Sequence, residues 1–393
     1  MSAPICRDLK CFGDISAREQ HMKHGVIGKL LGVAVEDKSV ISLGPGEPDF
    51  STPQPILNYG ARLLASGRST HYSPPSGRKE LKEAIIQKLR RDNKIRARPE
   101  NIIVTSGSQE ALMMSLITTM DPHENIILPS PSYMGYEPAV EFLSGRVRQI
   151  PLRQENNFDL DVDLIKRAVN SKTRGIIFCN PSNPTGMIYP KKTLERLADV
   201  AVDKGLFIYS DEAYEKIVYD KKPCSFGSLN GMKDYSITLQ SFSKSYAMCG
   251  FRLGYAVAPK RIAEAMSHVH VNTTISAPTI SQMMGTYALK TSESHTFRMV
   301  REYDRRRRMI VKRLNGMGLK TLMPQGAFYA FSNISHLTKD SNKFAEQLLK
   351  KAKVAVIPGA EFGKYGEGFL RLSYATDYRK IETAMNKIER FVK

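Results

Sequence analysis

The chain has 393 residues, of which 41% are hydrophobic and 25% charged. That balance excludes wholesale disorder, and the length allows one large domain with a smaller one. Lys and Arg number 58 against 39 Asp and Glu, a formal +19 with a pI near 9.6. Such a surplus asks for anionic partners but does not choose between nucleic acid and small molecules.

In chain order, residues 15–34 read as a helix. From about residue 45, short apolar runs alternate with helix-length segments. The runs 102–105, 125–129, 174–179, 206–210, 236–240 and 253–258 read as strands. Residues 191–204 and 260–270 carry apolar positions at threes and fours, the helical spacing. Continuous apolar strands alternating with helices predict right-handed βαβ units in a mostly parallel sheet with helices on both faces. After residue 290 a long basic helix (293–315) precedes strand-like runs at 326–331, 354–357 and 369–374. Further helices fall at 341–352 and 377–392. The expectation is an α/β protein in three parts. Residues 1–44 form an N-terminal segment packed with the small domain, 45–290 the large domain, and 291–393 a smaller α+β domain.

Five scattered cysteines (Cys6, Cys11, Cys179, Cys224, Cys249) include no CxxC pair, so neither a disulfide framework nor a zinc knuckle is expected. The histidine pairs His21/His24 and His268/His270 have no Cys or carboxylate company at ligand spacing, and no metal is expected. No apolar run reaches the roughly 18–20 residues of a membrane helix. The opening stretch carries Arg7, Asp8, Lys10 and Asp14 without an apolar core, unlike a secretory signal. A cytoplasmic protein with no membrane partner is expected.

Four motifs carry chemistry. Residues 102–112 (IIVTSGSQEAL) run from strand through Ser106-Gly107-Ser108 into a helix. Free amides at such a helix start favour an anion, and the spacing is not that of a Walker loop. Residues 180–186 (NPSNPTG) form a rigid turn at a strand end, which points Asn183 into the strand-end crevice; as a turn it needs no function. Residues 206–214 (LFIYSDEAY) end a buried strand in Asp211, with Tyr214 three residues on. A carboxylate there sits where α/β folds bind ligands, although an N-cap or turn role is equally open. Residues 241–259 (SFSKSYAMCGFRLGYAVAP) set Lys244 among small polar residues, with Arg252 eight positions on. A confined lysine can form a Schiff base if its amine is neutral enough to attack, and Arg252 nearby would help keep it neutral.

Taken in this order, the motifs strongly resemble the class I aminotransferases, pyridoxal 5′-phosphate (PLP) enzymes of fold type I with the aspartate-aminotransferase fold. The resemblance runs from ISLGPGEPDFSTP (41–53) to FLRLSYATD (369–377). It looks closest to the aspartate or aromatic branch of archaea and thermophilic bacteria. It implies that Lys244 binds the PLP aldehyde covalently and moves the substrate proton. Asp211 would face the pyridine nitrogen and keep the ring an electron sink. Tyr214 and Asn183 would donate to the phenolic oxygen. Tyr133, in SPSYMGYEP, would stack on the ring where relatives often have Trp. Gly107, Ser108, Ser241 and Arg252 would hold the phosphate, with Gln109 and Ser243 completing the cofactor-binding set. Tyr72, in THYSPPSG, would reach the phosphate of a neighbouring subunit, which makes the working unit a two-fold homodimer with shared active sites. Arg371 would clamp the substrate α-carboxylate, with Asn183 and a Gly46 backbone amide beside it.

The implied reaction is transamination between an amino acid and a 2-oxo acid, most naturally 2-oxoglutarate. For the donor, aspartate comes first, an aromatic amino acid second and alanine third. Some acid-specific relatives carry a Lys in the phosphate-cradle helix, where this chain has Gln109. A PLP-dependent lyase of the same fold would use the same Lys and Asp. A nucleic-acid binder, prompted by REYDRRRRMIVKR (301–313), lacks any accompanying recognition motif; a charge-rich solvated helix bridging the domains is the expected reading, with no nucleic-acid partner.

Overall fold

A computed structural model of the chain describes residue 32 and residues 36–393. Cys6, Cys11, His21, His24 and all but one residue of the helix expected over 15–34 lie outside the described residues.

The described chain opens with a short strand, β1 (Ile41–Ser42), and then builds a seven-stranded sheet. Its strands are β2 (Ile102–Thr105), β3 (Asn125–Ser130), β4 (Arg146–Pro151), β5 (Thr173–Cys179), β6 (Phe207–Asp211), β7 (Ser236–Ser241) and β8 (Gly254–Val257). They lie in the order β2-β8-β7-β6-β5-β3-β4. All neighbours run parallel except β8, which is antiparallel to both β7 and β2.

Alternation along the strands shows why the sheet is covered twice. Ile126 and Leu128 belong to one apolar cluster, while Ile127 belongs to another. Ile177 and Cys179 join the first, Ile176 and Phe178 the second. Successive side chains point to opposite faces, so both faces carry a core. The helix Lys191–Lys204 shows the matching pattern: Leu194, Leu197, Ala198 and Ala201 are buried, and Gly205 ends it at φ +64°. Strand β4 was not expected from the sequence. As an edge strand it alternates in exposure, and its RVRQIP lacks a continuous apolar run.

Four short strands follow: β9 (Tyr329–Asn333), β10 (Val354–Ala355), β11 (Ile357–Pro358) and β12 (Phe369–Ser373). β11, β12 and β9 form an antiparallel sheet in that order, while β10 pairs in parallel with β1. The run expected as one strand at 354–357 is therefore two, because its halves serve different partners. The strand expected at 326–331 begins only at Tyr329. The amides of Gln325 and Gly326 instead bond the Gly186 carbonyl of the NPSNPTG turn at 2.7 and 2.9 Å. Leu43 bonds Ala355 and Ser373 through the backbone at 2.8 and 2.7 Å, which fixes the segment leading to Gly44 and Gly46.

The basic helix spans Glu293–Gly316, about 36 Å at the usual rise. Its arginines correct the expectation of a simply solvated helix. Arg306 and Arg307 are buried, the first paired with Asp49 and Glu302, the second with Asp220 and Asp304. Arg305 pairs with Glu302, Arg308 with Asp304 and Arg313 with Glu389. The cluster thus ties segments of the chain together. No helix among the described residues is long and apolar enough to cross a membrane.

Candidate active site

The carboxyl ends of β2, β3, β5, β6 and β7 open on one crevice, the usual ligand position of an open α/β sheet. A cavity of about 390 Å³ lies there. It is lined by Gly46, Ser108, Gln109, Tyr133, Asn183, Asp211, Tyr214, Ser241, Ser243, Lys244, Arg252 and Arg371. Twelve of the fourteen residues singled out in the sequence therefore share one wall. Gly107 stands directly behind Arg252: a Cβ on it would come 2.7 Å from the guanidinium Nη2. Its φ of +95° also suits glycine alone. Tyr72 is the outlier, 81% exposed and outside this cavity. A larger groove of about 1030 Å³ beside residues 91–94 and the helix Glu293–Gly316 is lined by none of these residues.

Each turn is built to hold its side chain. The Glu110 carboxylate accepts the Ser106 amide at 2.5 Å, closing the turn that starts the helix Ser108–Thr119. In the NPSNPTG turn, Gly186 donates to the Ser182 carbonyl and Ser182 to the Met187 carbonyl, both at 2.9 Å. Lys244 lies in the short helix Phe242–Ser245, capped where Ser241 Oγ accepts the Ser243 amide at 3.1 Å.

Burial lowers the pKa of Lys244; Cys249 and Glu47 oppose this, and Arg371 and Arg252 add to it more weakly. Its Nζ donates to the Gly46 carbonyl. Asp211 is also buried, which raises its pKa, although Tyr136 Oη donates to it at 2.6 Å and the Ala213 amide at 3.0 Å. Arg371 is buried, and desolvation lowers its pKa. It donates to Asn183 Oδ1 at 3.1 Å and to the Gly44 carbonyl at 2.5 Å. Its Nε has no partner.

These features fit pyridoxal phosphate and an amino-acid substrate. A buried carboxylate short of cations is matched by a protonated pyridine nitrogen. Arg252, Gly107 and the start of the helix Ser108–Thr119 offer positive charge and open amides to a phosphate. The unpartnered Arg371 Nε suits a carboxylate.

The family model for aminotransferases of class I and II matches residues 38–388. The chain belongs to that family. It is 44% identical to the aspartate aminotransferase of Pyrococcus abyssi, over 93% of this chain and 95% of the relative. It is 42% identical to aromatic-amino-acid aminotransferase 2 of Thermococcus litoralis, over 96% and 98%. The crystal structure of the aromatic aminotransferase of Pyrococcus horikoshii superposes with a TM-score of 0.87 at 44% identity, covering 93% of this chain and 98% of that one. The protein is a fold-type-I, PLP-dependent transaminase acting on amino acids and 2-oxo acids.

Sequence reasoning missed two tyrosines of this aminotransferase site. Tyr136 lies three residues after Tyr133, at the start of the helix Tyr136–Phe142, so it stood within the SPSYMGYEP run that the sequence had singled out. Tyr329 lines the cavity from β9, far along the chain, and nothing in its local sequence marks it.

Proposed function

We propose that Lys244 binds the cofactor aldehyde and then carries the substrate proton. The observation behind this is its buried amine, facing the same cavity as Asp211, Arg252 and Arg371 and pushed towards neutrality chiefly by desolvation. Pyridoxal phosphate supplies an electron sink for the charge released at the substrate α-carbon. The chain supplies the rest. Arg371 holds the α-carboxylate and so fixes the direction of the Cα–H bond. Once the substrate amine has replaced it on the aldehyde, the released Lys244 amine would be placed to move the proton between the substrate α-carbon and the cofactor's aldehyde carbon. Asp211 holds a proton on the ring nitrogen. Asn183 Oδ1 accepts from Arg371, which frees its Nδ2 to donate to the phenolic oxygen beside Tyr214. Tyr133 stacks on the ring, and Gly107, Ser108, Gln109, Ser241, Ser243 and Arg252 surround the phosphate. Gly46 backs the substrate carboxylate.

The cavity's cations are Lys244, Arg252 and Arg371, and each has a role above. Among the described residues no fourth cation lines it. The lining side chains without a role above include the apolar Leu112 and Met134. This favours an aromatic or other neutral donor over aspartate, the reverse of the order read from the sequence. The relatives carry both names, so the two donors are tested side by side. The protein is incubated with one amino acid at a time. A stable amine form of the cofactor, fastest with phenylalanine or tyrosine, is expected. Regeneration of the starting absorbance with ammonia release would indicate a lyase instead.

A homodimer accords with exposed Leu64, Tyr72, Val271 and Ile275. The Tyr72 strip is tied to the 271–279 segment through the 2.8 Å Ser73–Thr279 hydroxyl contact. In such a dimer Tyr72 reaches the partner's phosphate cradle. The division into 1–44, 45–290 and 291–393 places the cofactor turns on the middle part and Arg371 on the last. A cytoplasmic location accords with Cys179, Cys224 and Cys249 being free thiols.

A further inference from the structure

Tyr329 sits where several parts of the active site meet. It begins β9, opposite Ser373 of β12 and two residues along that strand from Arg371. It is fully buried. Its hydroxyl lies 2.7 Å from the Tyr214 hydroxyl, and either can donate. The guanidinium carbon of Arg371 lies 4.4 Å from the centre of its ring. A Cβ on Gly46 would come within 2.8 Å of the same hydroxyl, so the Gly44–Gly46 segment closes against it.

We propose that Tyr329 is a positioning residue acting on both ends of the reaction. Its hydroxyl donates to Tyr214, so that Tyr214 can donate onward to the cofactor's phenolic oxygen. Its ring face holds Arg371 in position to receive the substrate carboxylate. The inference rests on the roles given above to Tyr214 and Arg371.

The physical reason is proton counting. A tyrosine hydroxyl has one proton to give. If Tyr214 gives its proton to Tyr329, none remains for the phenolic oxygen. If Tyr329 donates, Tyr214 is free to donate, and each bond polarises the next. Burial pushes the Tyr329 hydroxyl up to about 12, so at neutral pH it keeps a proton to donate. The other titratable groups facing this pair are Arg371, Cys179 and Tyr133. The ring acts separately from the hydroxyl. A guanidinium over an aromatic face is held in place without a competing anion. A carboxylate at that position would neutralise Arg371 and repel the substrate.

The two functions separate by mutation. Tyr329→Phe keeps the ring and removes the proton donor, whereas Tyr329→Leu removes both. The cofactor-loaded proteins are titrated with pH, following the absorbance of the lysine-bound cofactor. Both variants are expected to raise the midpoint by roughly a few tenths of a unit, because Tyr214 still donates but without polarisation from Tyr329, whereas Tyr214→Phe should raise it by about half a unit to one unit, the effect of one lost hydrogen bond. Binding of maleate, an unreactive dicarboxylate, is measured alongside. Tyr329→Phe should bind it within twofold of the original protein, and Tyr329→Leu about tenfold more weakly. An unchanged midpoint in Tyr329→Phe, or equal maleate affinity in the two variants, overturns the proposal. Tyr214→Phe serves as the control. If it shifts the midpoint and Tyr329→Phe does not, only the Tyr329 relay fails. If it does not, the assignment of Tyr214 fails and the relay falls with it. A Leu variant that does not fold leaves the Phe titration to decide.

Discussion

Arg306 Nη1 lies 2.9 Å from both carboxylate oxygens of Asp49. The contact joins the long helix Glu293–Gly316 to the GEPDF segment, three residues beyond Gly46. Arg306 also donates to Glu302 at 3.0 Å and lies over the Phe50 ring. Gly44 and Gly46 in turn supply the carbonyls that Arg371 and Lys244 bond. A helix outside the cavity thereby sets the position of one wall of it.

Replacing Arg306 with Leu should therefore act twice. It strands Asp49, which remains a quarter exposed and can partly rehydrate. The expected loss of stability is about 2–3 kcal/mol, below the range for a fully buried pair. Because the Gly44–Gly46 wall loosens, KM for the amino donor should rise as well. Urea denaturation and steady-state kinetics check both, and a variant with original stability and KM would refute the link.

Arg371→Lys keeps the charge but loses the fork that can hold a carboxylate with two parallel bonds. KM for both the amino acid and the oxo acid should rise roughly a hundredfold, the scale of one or two lost charge-assisted bonds. Cofactor affinity should change far less than KM, because Arg371 reaches the cofactor only indirectly, through Asn183. A matching fall in cofactor affinity would show that the residue serves the cofactor instead.

Gly107→Ala forces a side chain into a φ of +95° and against Arg252. The strain costs about 1–2 kcal/mol, and the displaced guanidinium weakens the phosphate cradle. Dissociation of the cofactor, followed by absorbance, should be at least tenfold easier. An unchanged dissociation constant would mean that Arg252 does not hold the phosphate.

Glu212, next to Asp211, is buried and pushed up to about 7 by desolvation, despite hydrogen bonds from Ser225, Ser210, Asn93 and Gln240. Glu215 and Lys88 are its charged neighbours. The native protein then binds more protons than the unfolded chain between pH 4.5 and about 7. Stability from this group is present below that window and lost as pH rises through it. Glu212→Gln removes the titration. Its stability relative to the original protein should improve from pH 5 to pH 8 in urea unfolding. A constant difference across that range would show that Glu212 keeps an ordinary pKa.

Much of the site was legible because its parts are local. Lys244 in SFSK, Asp211 in SDEAY and Asn183 in NPTG each sit at the end of an apolar strand, and a parallel sheet brings such ends to one edge. Arg371 could be named from its motif, but the motif does not show that its Nε is left open. Tyr329 escaped notice because no spacing rule links it to Tyr214, and Tyr136, although it stands in the SPSYMGYEP run, because nothing local ties that run to Asp211. The fold was legible for the same reason wherever strands are buried on both faces. It failed at the edge strand β4 and at the split between β10 and β11, where hydrogen-bond partners, not local hydrophobicity, set the boundaries.

The basic surplus with which the sequence opens divides along the same line. Sequence alone determined that the chain carries +19, and which lysines and arginines lie in chemical motifs. Only the tertiary structure decided that Arg306 and Arg307 are buried in ion pairs while Lys244 is desolvated towards neutrality. The order of residues fixes which groups exist and which turns present them. Charge state and pairing depend on burial and on groups far away in the chain, such as Asn183 against Arg371, and folding alone brings those together.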